Sequence, residues 1–163
     1  MVRVHMMVGI PGSGKSTYAR QLSQEKGYKI VSTDVIRMVH PDWEEPLIWP
    51  EVYRLTAEYL KNGTDVIFDA TNITPKVRNR FKDEVSKYFN EFEVAAYYFD
   101  TLPVICAKRV EMRNKMANEL YLPVEVVFSY GEKIVKPTLD EGFIEIINVN
   151  NLERKEYEYC TVA

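Results

Sequence analysis

An α/β fold built on a mostly parallel sheet is what this sequence predicts, and three observations predict it. Short apolar runs alternate along the chain with segments whose apolar residues recur at helical spacing. A glycine-rich stretch, Gly9 to Gly14, falls between the first apolar run and the first helical segment. The chain has 163 residues, 46% hydrophobic and 28% charged, which is ordinary for a globular protein and enough for one sizeable core. With no repeat or linker dividing it, residues 1–163 read as a single domain.

The first strand is expected over Arg3 to Val8, and a helix over Lys15 to Lys26 with Gly27 as its stop. Residues Tyr28 to Ser32 read as the second strand. A short helix then starts near Thr33 or Asp34 and ends before Pro41. The stretch from His40 to Trp49 has no clear period. Pro50 suits the first position of a helix carrying Val52, Leu55 and Tyr59 on one face, and Gly63 ends it. Residues 65–69 form a short buried strand. Thr74-Pro75 is a cap and first-turn pair for a helix with Val77, Phe81, Val85 and Phe89 at four-residue intervals. A fourth strand spans Phe92 to Phe99, and a helix follows from Thr101 and Pro103 to about Met116. Pro123 starts a helix with Val127, Tyr130 and Ile134 inward, and Phe143 to Val149 closes a five-stranded sheet.

Charge and composition exclude several classes. Twenty-four acidic against 21 basic residues give a net charge of -3, so no long surface for duplex nucleic acid is expected. No apolar run is long enough for a membrane span, and the N-terminus lacks the pattern of a signal peptide. Cys106 and Cys160 are too few for a disulfide framework and point to reduced thiols in the cytoplasm. Cys106, at helical spacing from Leu102 and Val110, reads as core. His5 and His40 form no ligand cluster, so no zinc site is assigned.

Gly9-Ile10-Pro11-Gly12-Ser13-Gly14-Lys15-Ser16 matches the phosphate-loop motif G-x-x-x-x-G-K-[ST] in full, between a strand and a helix as that motif requires. Its glycines let successive N–H groups turn inward on phosphate oxygens, and the following helix adds its positive end. Lys15 is expected to reach the β- and γ-phosphates, and the Ser16 hydroxyl to ligate Mg²⁺. The nucleotide expected is ATP. After the second strand, Asp34 can take a proton from an acceptor hydroxyl, and Arg37, one turn on, can hold an acceptor phosphate. Asp34 also suits a helix cap, with Arg37 in a surface pair; capping and catalysis are compatible. Asp69 ends the third strand where a magnesium-shell carboxylate sits, and Thr71 and Asn72 could bond a loop or a substrate phosphate.

Taken with Thr17, with Thr71-Asn72-Ile73-Thr74-Pro75, Arg113-Asn114 and Pro123 to Val127, and with Pro137 to Phe143, these motifs resemble the polynucleotide 5′-kinase family, including bacteriophage end-healing kinases. The resemblance implies an adenylate-kinase-like P-loop fold with a central phosphate-loop strand and a helical lid, at about residues 109–123. It implies γ-phosphoryl transfer from ATP to a 5′-hydroxyl of RNA or DNA. Asp34 would be the general base, Arg37 would contact the acceptor's 3′-phosphate, and Arg113 would serve in the lid and the nucleotide pocket, for which the loop after Val149 is another candidate.

The lid departs from that pattern. An arginine expected four residues after Arg113 is replaced by Ala117, and such a lid arginine is worth about 10³ or more in rate. Either Arg113 carries the chemistry with Arg109 or Lys115, or the chain binds nucleotide and turns over slowly. Trp43 and Trp49 are read as packing between helices or as an acceptor platform. Lys76, Arg78 and Arg80 are further basic candidates, with Arg78 expected to face the cleft. A small acceptor such as a nucleoside or sugar is the alternative substrate class, favoured by the acidic balance.

Overall fold

The computed structural model describes residues 1–117 and 119–149; Asn118 and residues 150–163, which include Cys160 and the loop after Val149, lie outside the described residues. The chain runs β1 (Val2–Val8), α1 (Lys15–Lys26), β2 (Lys29–Ser32), α2 (Thr33–Val39), α3 (Glu45–Lys61), β3 (Val66–Asp69), α4 (Pro75–Ser86), β4 (Phe92–Tyr98), α5 (Pro103–Arg113), α6 (Val124–Lys133) and β5 (Ile146–Asn148). The five strands pair in parallel in the order β2-β3-β1-β4-β5, so the strand leading into the glycine-rich loop is central.

Alternation along β1 sorts the core into two faces. Val4, Met6 and Val8 join Val31, Phe68 and the inner residues of α3 and α4, such as Ile48, Val52 and Phe81. Met7 joins Ala19, Ile67, Ala95 and Tyr97 under α1. A smaller cluster of Ile10, Cys106, Val110 and Val127 holds α5 to α6. Cys106 is fully buried there, as its spacing predicts.

Three boundaries differ from the sequence reading, and α5 is one of them, ending at Arg113 and not near Met116. Helix α3 starts at Glu45, five residues before Pro50, because Pro46 occupies its first turn and Leu47 N–H bonds the Glu44 carbonyl at 2.9 Å. Pro50 is then inside the helix, where its missing N–H costs only the bond to the carbonyl of Pro46. The last strand is confined to Ile146–Asn148, although its hydrogen bonding to the β4 region begins at Ile144 and Glu145. The chain enters it from a short 3-10 turn, Leu139–Glu141, ended by Gly142 at φ 92. Thr138 and Glu141 close that turn with reciprocal side-chain bonds, a capping box that the sequence reading missed. Among the described residues no helix is long and apolar enough to cross a membrane.

Candidate phosphotransfer site

In a parallel sheet all strands deliver their carboxyl ends to one edge, and crossing loops open a cleft there. The cleft in this chain is a cavity of about 680 Å³ lined by the phosphate loop, the start of α2, the ends of β3 and α5, and the loop before α6. Lys15, Ser16, Asp34, Arg37, Asp69, Arg109 and Arg113 all line it.

The loop is shaped by close approaches that leave no space for side chains. A Cβ on Gly12 would lie 2.5 Å from the Cys106 carbonyl oxygen, and Gly12 has φ +83. One on Gly9 would lie 2.5 Å from Ser13 Oγ and 2.9 Å from Phe99 Cβ. Gly14 caps α1 in the left-handed region, and the first turn of that helix has no acidic residue to oppose an anion. Pro11 and Thr17 complete the rim of the loop at the cavity. Three contacts stiffen it from outside: Gly9 N–H to the Thr71 carbonyl at 3.0 Å, Thr101 Oγ1 to the Ser13 carbonyl at 3.1 Å, and Arg109 Nη1 to the Gly12 carbonyl at 2.8 Å.

Lys15 donates from Nζ to the Ile10 carbonyl at 2.9 Å. Burial pushes its ammonium below the ordinary lysine value, with the Asp69 carboxylate pulling the other way. Ser16 Oγ donates to Asp69 Oδ2 at 2.7 Å. A hydroxyl and a carboxylate at this separation are hard oxygen donors of the kind Mg²⁺ takes, so the pair fits that ion.

Asp34 is not the cap of α2. Ser32 is, its Oγ accepting from Val35 N–H at 3.2 Å. The Asp34 carboxylate therefore stands at the cavity, with Arg37 Nη1 donating to Oδ1 at 2.8 Å. Arg37 also grips Glu45 with two donors, Nε at 3.2 Å and Nη2 at 2.5 Å. These carboxylates hold the guanidinium above its ordinary value, Glu45 foremost.

Several expected residues stand elsewhere. Arg78 does not face the cleft: it is fully buried, donating twice to Glu141 (2.7 and 3.0 Å) and once each to the Asn72 and Val135 carbonyls (2.8 and 3.0 Å). Its long side chain ties the start of α4 to the turn before β5, and the expected contact with substrate is withdrawn. Asn72 is also buried; its Nδ2 donates to the Met7 carbonyl at 2.7 Å, and its backbone is left-handed at φ 48. It shapes the strand ends, while Thr71 lines the cavity. Lys76, Arg80 and Lys115 are absent from the lining, and α5 contributes the cationic side chains Arg109 and Arg113 to it. Of the tryptophans, Trp49 lines the cavity and meets Phe68 at an interplanar angle of 80°, whereas Trp43 stacks on His40 with centroids 3.6 Å apart.

Sequence reasoning missed Thr101 and Glu45 as partners of the site. Neither lies at a revealing spacing, since Thr101 is 88 residues from its acceptor and Glu45 reaches Arg37 from the next helix. Asn114 was likewise noticed only as part of a motif. Its side chain donates to the Leu122 carbonyl at 2.7 Å and accepts from Leu122 N–H at 3.0 Å, closing the loop that follows α5.

Residues 4–127, from the central strand into α6, match the AAA domain family AAA_33. The chain belongs to that family. Among proteins similar to this AAA_33 chain is the bifunctional polynucleotide phosphatase/kinase of Schizosaccharomyces pombe, 25% identical over 153 residues. Those residues are 94% of this chain and span 35% of the length of that relative. A chain of the Pnkp1/Rnl/Hen1 complex is 27% identical with a TM-score of 0.58, over 66% of this chain and 38% of that one. Kti12 of Chaetomium thermophilum, determined with ADP-AlF3, has a TM-score of 0.71 at 16% identity, over 98% of both chains. The last likeness is one of fold, that of P-loop kinases.

Proposed function

We propose that this chain is an ATP-dependent kinase that transfers the γ-phosphoryl group to a 5′-hydroxyl end of RNA or DNA. The observation that carries the reading is the convergence of Asp34 and Arg37 with the phosphate loop on one cavity. A nucleotide-binding module needs the loop; an acceptor carboxylate and guanidinium beside it are what transfer needs. The relative named as a polynucleotide phosphatase/kinase, at 25% identity, supports the acceptor class. So does the order of motifs, which resembles that of the polynucleotide 5′-kinase family.

The phosphate-loop amides and Lys15 grip the triphosphate tail. Ser16 and Asp69 would hold Mg²⁺, which when bound supplies charge neutralisation on the phosphates. Asp34 orients the acceptor hydroxyl and takes its proton as the new phosphorus–oxygen bond forms and the bond to the departing diphosphate breaks. Arg37 holds the acceptor phosphate next to that hydroxyl. Residues 109–123 act as the lid, where the Arg113 side chain lines the cavity while Arg109 is engaged by the Gly12 carbonyl. Arg113 is the guanidinium placed to meet charge that develops on the transferring group, compensating for Ala117.

A second reading, transfer to an uncharged small acceptor, is favoured by one observation: Asp34 and Glu45, both bonded to Arg37, give the acceptor side of the cavity two carboxylates. Offering γ-labelled ATP with a 5′-hydroxyl oligonucleotide, a nucleoside and a sugar panel decides between the two. Label on the oligonucleotide supports the first reading; label confined to small acceptors overturns it.

A further inference from the structure

We infer that Glu45 sets acceptor selectivity by competing with the acceptor's phosphate for Arg37. The inference rests on the acceptor role proposed for Arg37. The guanidinium has one side-on fork, Nε with Nη2, and Glu45 occupies both of its donors. Asp34 takes a third donor through Nη1. Arg37 is thus a planar, bidentate anion receptor already filled by a carboxylate.

The carboxylate is supplied by a neighbouring element, at the first turn of α3. Its hydrogen bonds to Arg37 hold the Glu45 carboxyl below the ordinary carboxylate range, so it stays charged at neutral pH. Asp34, Arg37 and Glu45 together bear one net negative charge. A phosphate entering this corner must displace Glu45 from the fork or share the guanidinium with it, and it meets repulsion from both acids. An uncharged group in the same place meets neither cost. Glu45 therefore lowers the advantage that a charged linkage would draw from Arg37 and keeps neutral acceptors competitive.

Glu45 is more than half exposed, so its replacement by the isosteric amide leaves the fold intact. The test compares two oligonucleotides with the same bases and the same 5′-hydroxyl. One has an ordinary phosphodiester as its first linkage, the other an uncharged methylphosphonate. The quantity read is the ratio of kcat/KM for the charged over the uncharged acceptor. Glu45→Gln should raise that ratio about fivefold, the scale of a partly exposed charge pair, mainly through a lower KM for the phosphodiester. Glu45→Asp, which keeps the charge, should restore the wild-type KM ordering. An unchanged or reduced ratio in Glu45→Gln overturns the inference, a reduced one meaning that Glu45 steadies Arg37 for phosphate. If the wild type phosphorylates neither oligonucleotide, the proposed function itself fails, which is a separate result.

Discussion

Ser32, by closing the amino end of α2, relieves Asp34 of the duty its position suggests. An aspartate two residues beyond a strand is as good a cap as a base, and only the bond from Val35 N–H to Ser32 Oγ decides between them. Asp34→Asn should consequently lower transfer by about 10²–10⁴-fold, the range for loss of a positioned general base, while ATP affinity by calorimetry changes little. Loss of nucleotide binding in that variant would assign Asp34 to the donor half of the site. Gly12 illustrates the opposite kind of residue, one that contributes through what it lacks. Gly12→Ala puts a methyl group against the Cys106 carbonyl at a positive φ, so nucleotide affinity should fall by at least tenfold, on the order of 1.4 kcal/mol. A titration with ATP measures it. Both residues are in readable motifs; what the motif could not say is which of two compatible roles Asp34 plays.

Elements were legible wherever a local signal fixes them. Gly27 ends α1 in the left-handed region with its N–H on the Ser23 carbonyl, and Thr74 caps α4 through Val77 N–H. The first turn of α3 was not legible, because its two prolines fit two different starts and tertiary packing of Ile48 chose the earlier one. Arg78 was misread for a related reason: at the start of a helix near a cleft, a cation looks like a ligand, and its partner Glu141 is 63 residues away. That pair is a test of how α4 is held. Arg78→Ala leaves a largely buried carboxylate without its partner and strands two carbonyls, so urea unfolding should show a loss of about 3–5 kcal/mol. A loss below about 1 kcal/mol would mean that water replaces the guanidinium without cost.

For the molecule as a whole, stability should depend on pH through groups far from the cavity. His5 lies buried in β1, with Nδ1 and Tyr97 Oη 2.9 Å apart, Nε2 and Asp65 Oδ2 3.0 Å apart, and its ring stacked on Tyr28 at 4.6 Å. Burial lowers its affinity for a proton below the ordinary 6.5, and Asp65 only partly opposes this. The unfolded chain therefore binds that proton more readily than the folded one. The stabilisation is complete above about pH 6.5 and is lost as pH falls through the lower folded value. Glu141 adds a second step: burial would raise its carboxyl, but the bonds from Arg78 and from Thr138 N–H outweigh it and hold it below 4.5. Its contribution is lost as pH falls below that region. Urea denaturation at pH 7.5, 6.5 and 5.5 should show stability flat in the upper interval and falling in the lower. His5→Gln should flatten that fall, and a slope that persists would assign it to another group.

In the sheet register Ser32 pairs with Asp69. The donor-side carboxylate and the residue just before the helix of Asp34 thus face each other across one rung of the ladder, set by main-chain bonds and not by flexible connections. Heating should not misalign the two halves gradually. Catalytic competence would end abruptly, at the temperature where those two strands part.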